Sequence, residues 1–156
     1  MKVWEAHSKE GLDALTLVER PEPQPKAGQV LLKMRAASLN YRDLLTVKGA
    51  YGSKQKLPFV PFSDGVGEVV AVGDGITRVK VGDRVAGIFM QTWLEGEFSA
   101  DKSKSALGGA IDGILAEYVT LHEDGVVHVP EHLSDEEAAS LPCAAVTAWN
   151  ALTTDG

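Results

Sequence analysis

Cysteine is almost missing from this chain. Cys143 is the single one in 156 residues, so no intrachain disulfide and no all-cysteine zinc site can form. Such sparing use fits a reducing compartment, and the chain is expected to be cytoplasmic. Basic residues are in deficit: 15 lysines and arginines stand against 22 aspartates and glutamates, a net charge of -7. No basic cluster interrupts that balance, which argues against nucleic acid or an anionic membrane surface as a partner. No apolar run approaches the ~20 residues of a membrane span. The first seven residues lack the apolar core of a signal peptide. There is no internal repeat and no low-complexity tract. What the chain does have is 44% apolar content and a length that suits one domain or slightly more. A chain of this size buries roughly 70% of its unfolded surface and needs no covalent staples.

Residues 39–87 organise the rest. Asn40, Tyr41, Arg42, Asp43 and Tyr51 carry the polar and aromatic groups able to do chemistry. Residues 57–62 are apolar and pinned by Pro58 and Pro61, whose rings fix φ and bias the preceding residue toward extended backbone. Beyond them, Val66, Glu68, Val70 and Val72 alternate with Gly67, Val69, Ala71 and Gly73 in the manner of a β-ladder. Gly73-Asp74-Gly75 is expected to supply the φ > 0 positions of a reversal. Val79-Lys80-Val81 then leads to a second turn at Gly82-Asp83. A polar loop beside a rigid β-scaffold is where binding and catalytic groups tend to sit.

Elsewhere, strands are predicted at Val3-Trp4 and over residues 14–19, 30–36, 113–121 and 126–130. A helical turn over residues 41–48 should stop at Gly49. Residues 91–111, rich in glycine, serine and lysine, read as an irregular excursion over the surface. Loops this long are usually functional or disordered. The character changes at Ser134, where Ser134 and Glu137 have the spacing of a capping box. Pro142 can occupy the first turn of a second helix running to about Leu152. Many short strands followed by helices predict a mainly β (α+β) fold, a barrel or sandwich with helices at its end.

Seven segments carry a resemblance. They are Asn40-Tyr41-Arg42-Asp43, Lys48-Gly49-Ala50-Tyr51-Gly52, residues 61–67, residues 73–77, Val81-Gly82-Asp83-Arg84-Val85, residues 113–119 and residues 141–149. In order and spacing they resemble the medium-chain dehydrogenase/reductase superfamily, in its zinc-independent branch of quinone oxidoreductases and enoyl reductases. Each motif is weak alone; seven in sequence, along nearly the whole chain, are specific. The resemblance implies a GroES-like catalytic domain over residues 1–130, a partly open β-barrel. Residues 131–156 would then be a helical connector to a Rossmann nucleotide-binding domain that this chain lacks. Gly65-x-Gly67, Gly73-x-Gly75 and Gly108-Gly109 do not sit in the strand–turn–helix context of a dinucleotide fingerprint. The chain is therefore expected to be a fragment of a protein roughly twice as long.

The departures from the family are also informative. Its zinc enzymes place cysteine where this chain has Asn40, histidine where it has Ser63, and a second cysteine at Cys143. Catalytic zinc needs three protein ligands, and asparagine and serine are poor ones, so no catalytic zinc is expected. The family's four-cysteine structural zinc lobe would fall in residues 91–111, which hold no cysteine. None of His7, His122, His128 and His132 shows metal-ligand spacing.

The resemblance also assigns roles. In this branch hydride passes from a reduced nicotinamide to the β-carbon of a conjugated carbonyl, and a phenol can deliver the proton or stabilise the oxyanion. Tyr51 matches that tyrosine; otherwise it is a turn tyrosine packed beside Gly52. Asn40 is expected near the nicotinamide or the substrate carbonyl, as a catalytic and cofactor-binding group; otherwise it caps the following turn. Tyr41 and Thr147 match positions lining the cofactor pocket, with plain wall and helix residues as the alternatives. Arg42 and Asp43 are expected to pair locally, Asp64 to order the 61–65 loop, and Cys143 to pack as a small apolar residue.

The whole protein is thus expected to be an NAD(P)H-dependent, zinc-independent oxidoreductase. It would act on small quinones, enones or enoyl thioesters, as a homo-oligomer. This chain alone should bind no cofactor tightly and be inactive. The competing readings are a free-standing GroES-like binding module and an alcohol dehydrogenase with atypical zinc ligands. Against the module stands a tail that would leave Leu141, Ala145 and Trp149 exposed.

Overall fold

The structure, a computed structural model, describes residues 1–50 and 56–153; Tyr51 lies outside the described residues. Strands β1 (Lys2–Ala6) and β2 (Leu15–Glu19) pair antiparallel as a ribbon. β3 (Gln29–Ser38), β4 (Asp64–Val72), β5 (Arg84–Gly87), β6 (Tyr118–His122) and β7 (Val126–His128) form an antiparallel sheet in the order β6-β3-β4-β5-β7. Its curvature follows from connectivity. A flat sheet of five strands spaced ≈ 4.8 Å apart would hold its edge strands about 19 Å apart. Yet β6 and β7, the two edges, are joined by a single 3-10 turn, Glu123–Gly125, and three residues span at most about 10 Å. The sheet must curl until its edges nearly meet, which makes it a partly open barrel. Register shifts in β3 at Leu31/Leu32 and Met34/Ala36 supply part of the bend.

The interior of the curl holds Val30, Leu32, Val69, Val85, Leu107, Ile114, Leu121 and Val126, all buried. Its outer face carries Val66 and Ala86, covered by α3 (Asp135–Ala139) through Ala138 and Ala139. The capping box forms: the Ser134 N–H donates to Glu137 and the Glu137 N–H to Ser134 Oγ. Arg84 holds α3 down by donating to Asp135 at 2.8 Å and to the Leu133 carbonyl at 2.8 Å. Helix α1 (Tyr41–Val47) follows β3 and ends before Gly49 at φ +70°, as the sequence predicts.

The second turn forms as expected at residues 81–82, and Val79 just before it is buried in the core. Several expectations need correction. Of the 73–75 glycines only Gly75 has a positive φ. Gly73 is required for space instead: a Cβ there would lie 1.9 Å from the Lys26 carbonyl oxygen. The strand expected over 113–121 is ladder-paired only as β6, because Gly113 and Ile114 donate to the carbonyls of Val60 and Phe62 at 2.7 and 3.0 Å. Residues 91–111 are not simply a surface excursion. Leu107 is fully buried at the centre of the core, and α2 (Ala100–Ser103) closes a loop around one ammonium group. Lys102 Nζ donates to the carbonyls of Glu95 and Glu97 at 2.6 Å and lies 5.8 Å from the Trp93 ring centroid.

The turn that joins the sheet edges is clamped by Glu123. Its carboxylate accepts the N–H groups of Thr77 and Arg78 at 2.8 and 2.7 Å, and these bonds hold its pKa below the usual carboxylate range. A depressed carboxylate pKa stabilises the fold above its unfolded value, and that contribution is lost as pH falls through the folded value. Glu123→Gln should therefore lower the urea midpoint at pH 7, and the gap to the parent chain should shrink toward pH 4. A gap independent of pH would refute the clamp.

Candidate active site

Asn40 is the N-cap of α1, its backbone extended at φ -108°, ψ 151°. Asp43 reaches back to accept the Asn40 N–H at 2.8 Å, so the Asn40 amide is set in place by its own helix. Its side-chain Nδ2 is buried and has no hydrogen-bond partner among the described residues. A buried amide donor without an acceptor costs about 1–3 kcal/mol. Tyr41, next in the helix, is 75% exposed.

Arg42 and Asp43 pair, as expected, but the pair reaches further than a local contact. The guanidinium is 3.3 Å from Asp43 Oδ1, donates to the Leu107 carbonyl at 3.2 Å, and lies 4.4 Å from the Phe89 ring centroid. It therefore ties α1 to the 89–107 loop. Burial pushes the Asp43 carboxyl above the usual carboxylate range and the charge of Asp64 adds to this, while the Asn40 N–H and Arg42 pull it back.

Asp64, the first residue of β4, is fully buried. One carboxylate oxygen accepts the Ser63 hydroxyl at 2.8 Å and the other accepts the Cys143 N–H at 2.8 Å. The expected role of Asp64 in its own loop is thus a tertiary contact as well. The preceding Phe62 sits at φ +72°, a conformation costly for a residue with a side chain. Gly108 and Gly113 lie against its backbone, where a Cβ on either would come within 2.6 Å and 2.0 Å of Phe62 atoms. This pinned turn delivers Ser63 and Asp64 to the site.

Cys143 belongs to a π-turn (Leu141–Ala145) that runs into α4 (Val146–Thr153). Burial and the charge of Asp64 push its thiol up, although Arg42 and a hydrogen bond with Thr147 work the other way. The expectation that Cys143 packs as a small apolar residue needs correction, because it is only half-buried and faces the cleft. Cys143 and Thr147 line a cleft of about 1040 Å³, together with Phe89, Met90, Leu141 and Val146. Asn40 and Tyr41 are not among its described walls. Hydrogen bonds thus join Asn40 to Asp43, and Ser63 and Cys143 to Asp64; Cys143 and Thr147 share the cleft wall, and Tyr41 stands at the surface. Leu141 and Trp149 are exposed on the tail, as expected, whereas Ala145 is half-buried. The Arg42–Phe89 stack and the Asp64–Cys143 bond have no local signal in the sequence.

As zinc donors these residues do not fit. Asn40 and Ser63 offer a neutral amide and a hydroxyl, both Asp64 oxygens are occupied by protein donors, and the thiol is disfavoured as thiolate. Catalytic zinc takes three good ligands and an open position. Among the described residues no three of His, Cys, Asp and Glu gather as a metal site. Nor is any described helix long and apolar enough to cross a membrane.

An open, curled antiparallel barrel with a polar helix-start and a connecting helix at one end defines the GroES-like class. Residues 26–131 match the family described as the alcohol dehydrogenase GroES-like domain. A zinc-type alcohol dehydrogenase-like protein of Schizosaccharomyces pombe is 46% identical over 143 residues, which are 91% of this chain and 41% of that protein. A chloroplastic quinone-oxidoreductase homolog of Spinacia oleracea is 38% identical over 92% of this chain and 39% of its own length. The crystal structure of a putative alcohol dehydrogenase from Sinorhizobium meliloti 1021 superposes with a TM-score of 0.90 at 40% identity, covering 99% of this chain and 46% of that one. The chain belongs to the medium-chain dehydrogenase/reductase superfamily, as its GroES-like domain, and so to a family of oxidoreductases. It spans less than half the length of these relatives.

Proposed function

We propose that this chain is the substrate-side domain of an NAD(P)H-dependent, zinc-independent oxidoreductase that reduces quinones, enones or enoyl thioesters. Residues 1–130 form the catalytic domain, and residues 131–156 lead into a nucleotide-binding domain. The observation that carries the reading is the buried Nδ2 of Asn40, which has no hydrogen-bond partner among the described residues. A buried side-chain donor lacking an acceptor is suited to an oxygen from outside the protein, the carboxamide or carbonyl oxygen of a bound molecule. Zinc-independence rests on the donor chemistry at Asn40, Ser63 and Cys143.

Asn40, Tyr41 and Thr147 would hold the nicotinamide, which supplies the hydride when bound. Asn40 donates a hydrogen bond to the oxygen on which charge develops. Tyr51 would supply the proton. Phe89, Met90, Leu141 and Val146 give the cleft an apolar wall. Such a site acts on small molecules in the cytoplasm.

The test is NAD(P)H oxidation with an enone by the polypeptide that joins this domain to its nucleotide-binding half. Asn40→Leu and Tyr51→Phe should each lower kcat about 10²-fold, with the rate unchanged by a chelator. Variants as active as the parent, or a chelator that abolishes the rate, would overturn the reading. The 156-residue chain alone should show no oxidation.

A further inference from the structure

The helical rod made by the π-turn and α4 buries none of its residues, yet it carries Cys143 and Thr147 into the cleft wall. Packing alone does not fix such a rod. Its first-turn N–H groups also need partners. Pro142 has no N–H to offer. Ser140, which precedes the rod, makes no side-chain cap to it, because its hydroxyl donates back to the Glu137 carbonyl at 2.7 Å. The partner comes from the sheet instead. Asp64, 79 residues earlier and fully buried, accepts the Cys143 N–H at 2.8 Å. Its backbone is locked by the β3–β4 ladder, where Asp64 faces Ser38, and its second oxygen is held by Ser63. A carboxylate at the N-terminal end of a helix also complements the helix dipole.

We propose that Asp64 is a positioning residue: its carboxylate caps the rod from the sheet and so sets where Thr147 stands in the cleft wall. The latch is rigid at one end and carries a site residue at the other, with Thr147 one turn beyond Cys143 in the same cleft wall. The catalytic consequence rests on the role proposed above for Thr147. The latch itself does not.

The test is amide hydrogen exchange in the 156-residue chain, followed over residues 141–153 and over β3 and β4. Losing a hydrogen bond to a charged acceptor should speed exchange in the rod about tenfold in Asp64→Ala, with β3 and β4 unchanged. Asp64→Asn keeps an acceptor oxygen for the Cys143 N–H and should stay within about twofold of the parent. Unchanged exchange in Asp64→Ala, or an equal rise across β3, β4 and the rod, would overturn the proposal. If Asp64→Ala does not fold, the unaltered chain decides. The Cys143 amide should then exchange at least about tenfold more slowly than a free-chain amide, and free-chain exchange would overturn the latch. In the joined polypeptide, the Asp64→Ala rate should fall about tenfold and return in Asp64→Asn. If exchange behaves as stated while the joined polypeptide never oxidises NAD(P)H, the latch stands and the proposed function falls.

Discussion

Gly113→Ala should abolish cooperative folding. A Cβ at Gly113 would lie 2.0 Å from the Phe62 carbonyl oxygen and 2.4 Å from that of Pro61. Both are backbone atoms, and neither can retreat. Gly113 donates to Val60 at 2.7 Å, Ile114 donates to Phe62 at 3.0 Å, and Asp112 accepts the Val60 N–H at 2.9 Å. Phe62 already holds φ at +72°, so the segment has no relaxed conformation to fall back on. Relief would require separating residues 60–62 from 112–115 and with them the delivery of Ser63 and Asp64. The expected cost exceeds about 4 kcal/mol, in the range reserved for broken cores and strained backbone. Gly82→Ala is the control. Its Cβ would meet nothing within 4 Å, but φ is +94°, so a cost of about 1–2 kcal/mol is expected. Urea unfolding followed by circular dichroism ranks the two. A Gly113→Ala chain within about 1 kcal/mol of the parent would contradict the packing described.

Arg42→Met is the second large effect, with an expected loss of about 3–5 kcal/mol, the cost of removing one partner of a buried ion pair. The Arg42 side chain is 12% exposed and that of Asp43 2%. Methionine fills much of the volume but leaves Asp43 charged beside Asp64 and leaves the Leu107 carbonyl without its guanidinium donor. Because burial already pushes the Asp43 carboxyl up, losing Arg42 raises it further. A raised carboxyl destabilises the fold at pH values above its pKa and ceases to do so once it is protonated. The deficit should therefore be larger at pH 8 than at pH 5, and Asp43→Asn in the same background should recover part of it. Urea midpoints at the two pH values measure this. A deficit below about 1 kcal/mol at both would mean the pair is dispensable.

Local patterns in the sequence foretold local structure. Gly49 stops α1, Ser134 and Glu137 cap α3, and the alternation of Leu32, Met34 and Ala36 against Lys33 and Arg35 marks β3; each is written within a few neighbouring residues. The family resemblance foretold the barrel. What could not be read was any contact that depends on where distant backbone passes. Gly73 looks like a turn glycine and is instead a gap through which residue 26 runs. Leu107 sits in a polar, glycine-rich stretch whose composition suggests solvent, yet it fills the centre of the core. Asp64 reads as a loop residue because its partner's N–H lies 79 positions away, and no periodicity records such a distance.

The order β6-β3-β4-β5-β7 bears on how the chain reaches its fold. β3, near the N-terminus, takes as neighbours β4 and the much later β6. Lys2 is hydrogen-bonded to Glu117, 115 residues away, and Arg20 to Asp112, 92 residues away. Closing loops of that length before their contacts reward it slows the search, toward the millisecond-to-second range of non-local β topologies. During synthesis at about 5–20 residues per second, the first half of the chain waits on the order of seconds for its closing strand. One edge of β3, with alternating apolar side chains, stays unpaired throughout that wait. The vulnerable period of this domain is thus its own translation, when self-association competes with completion of the barrel.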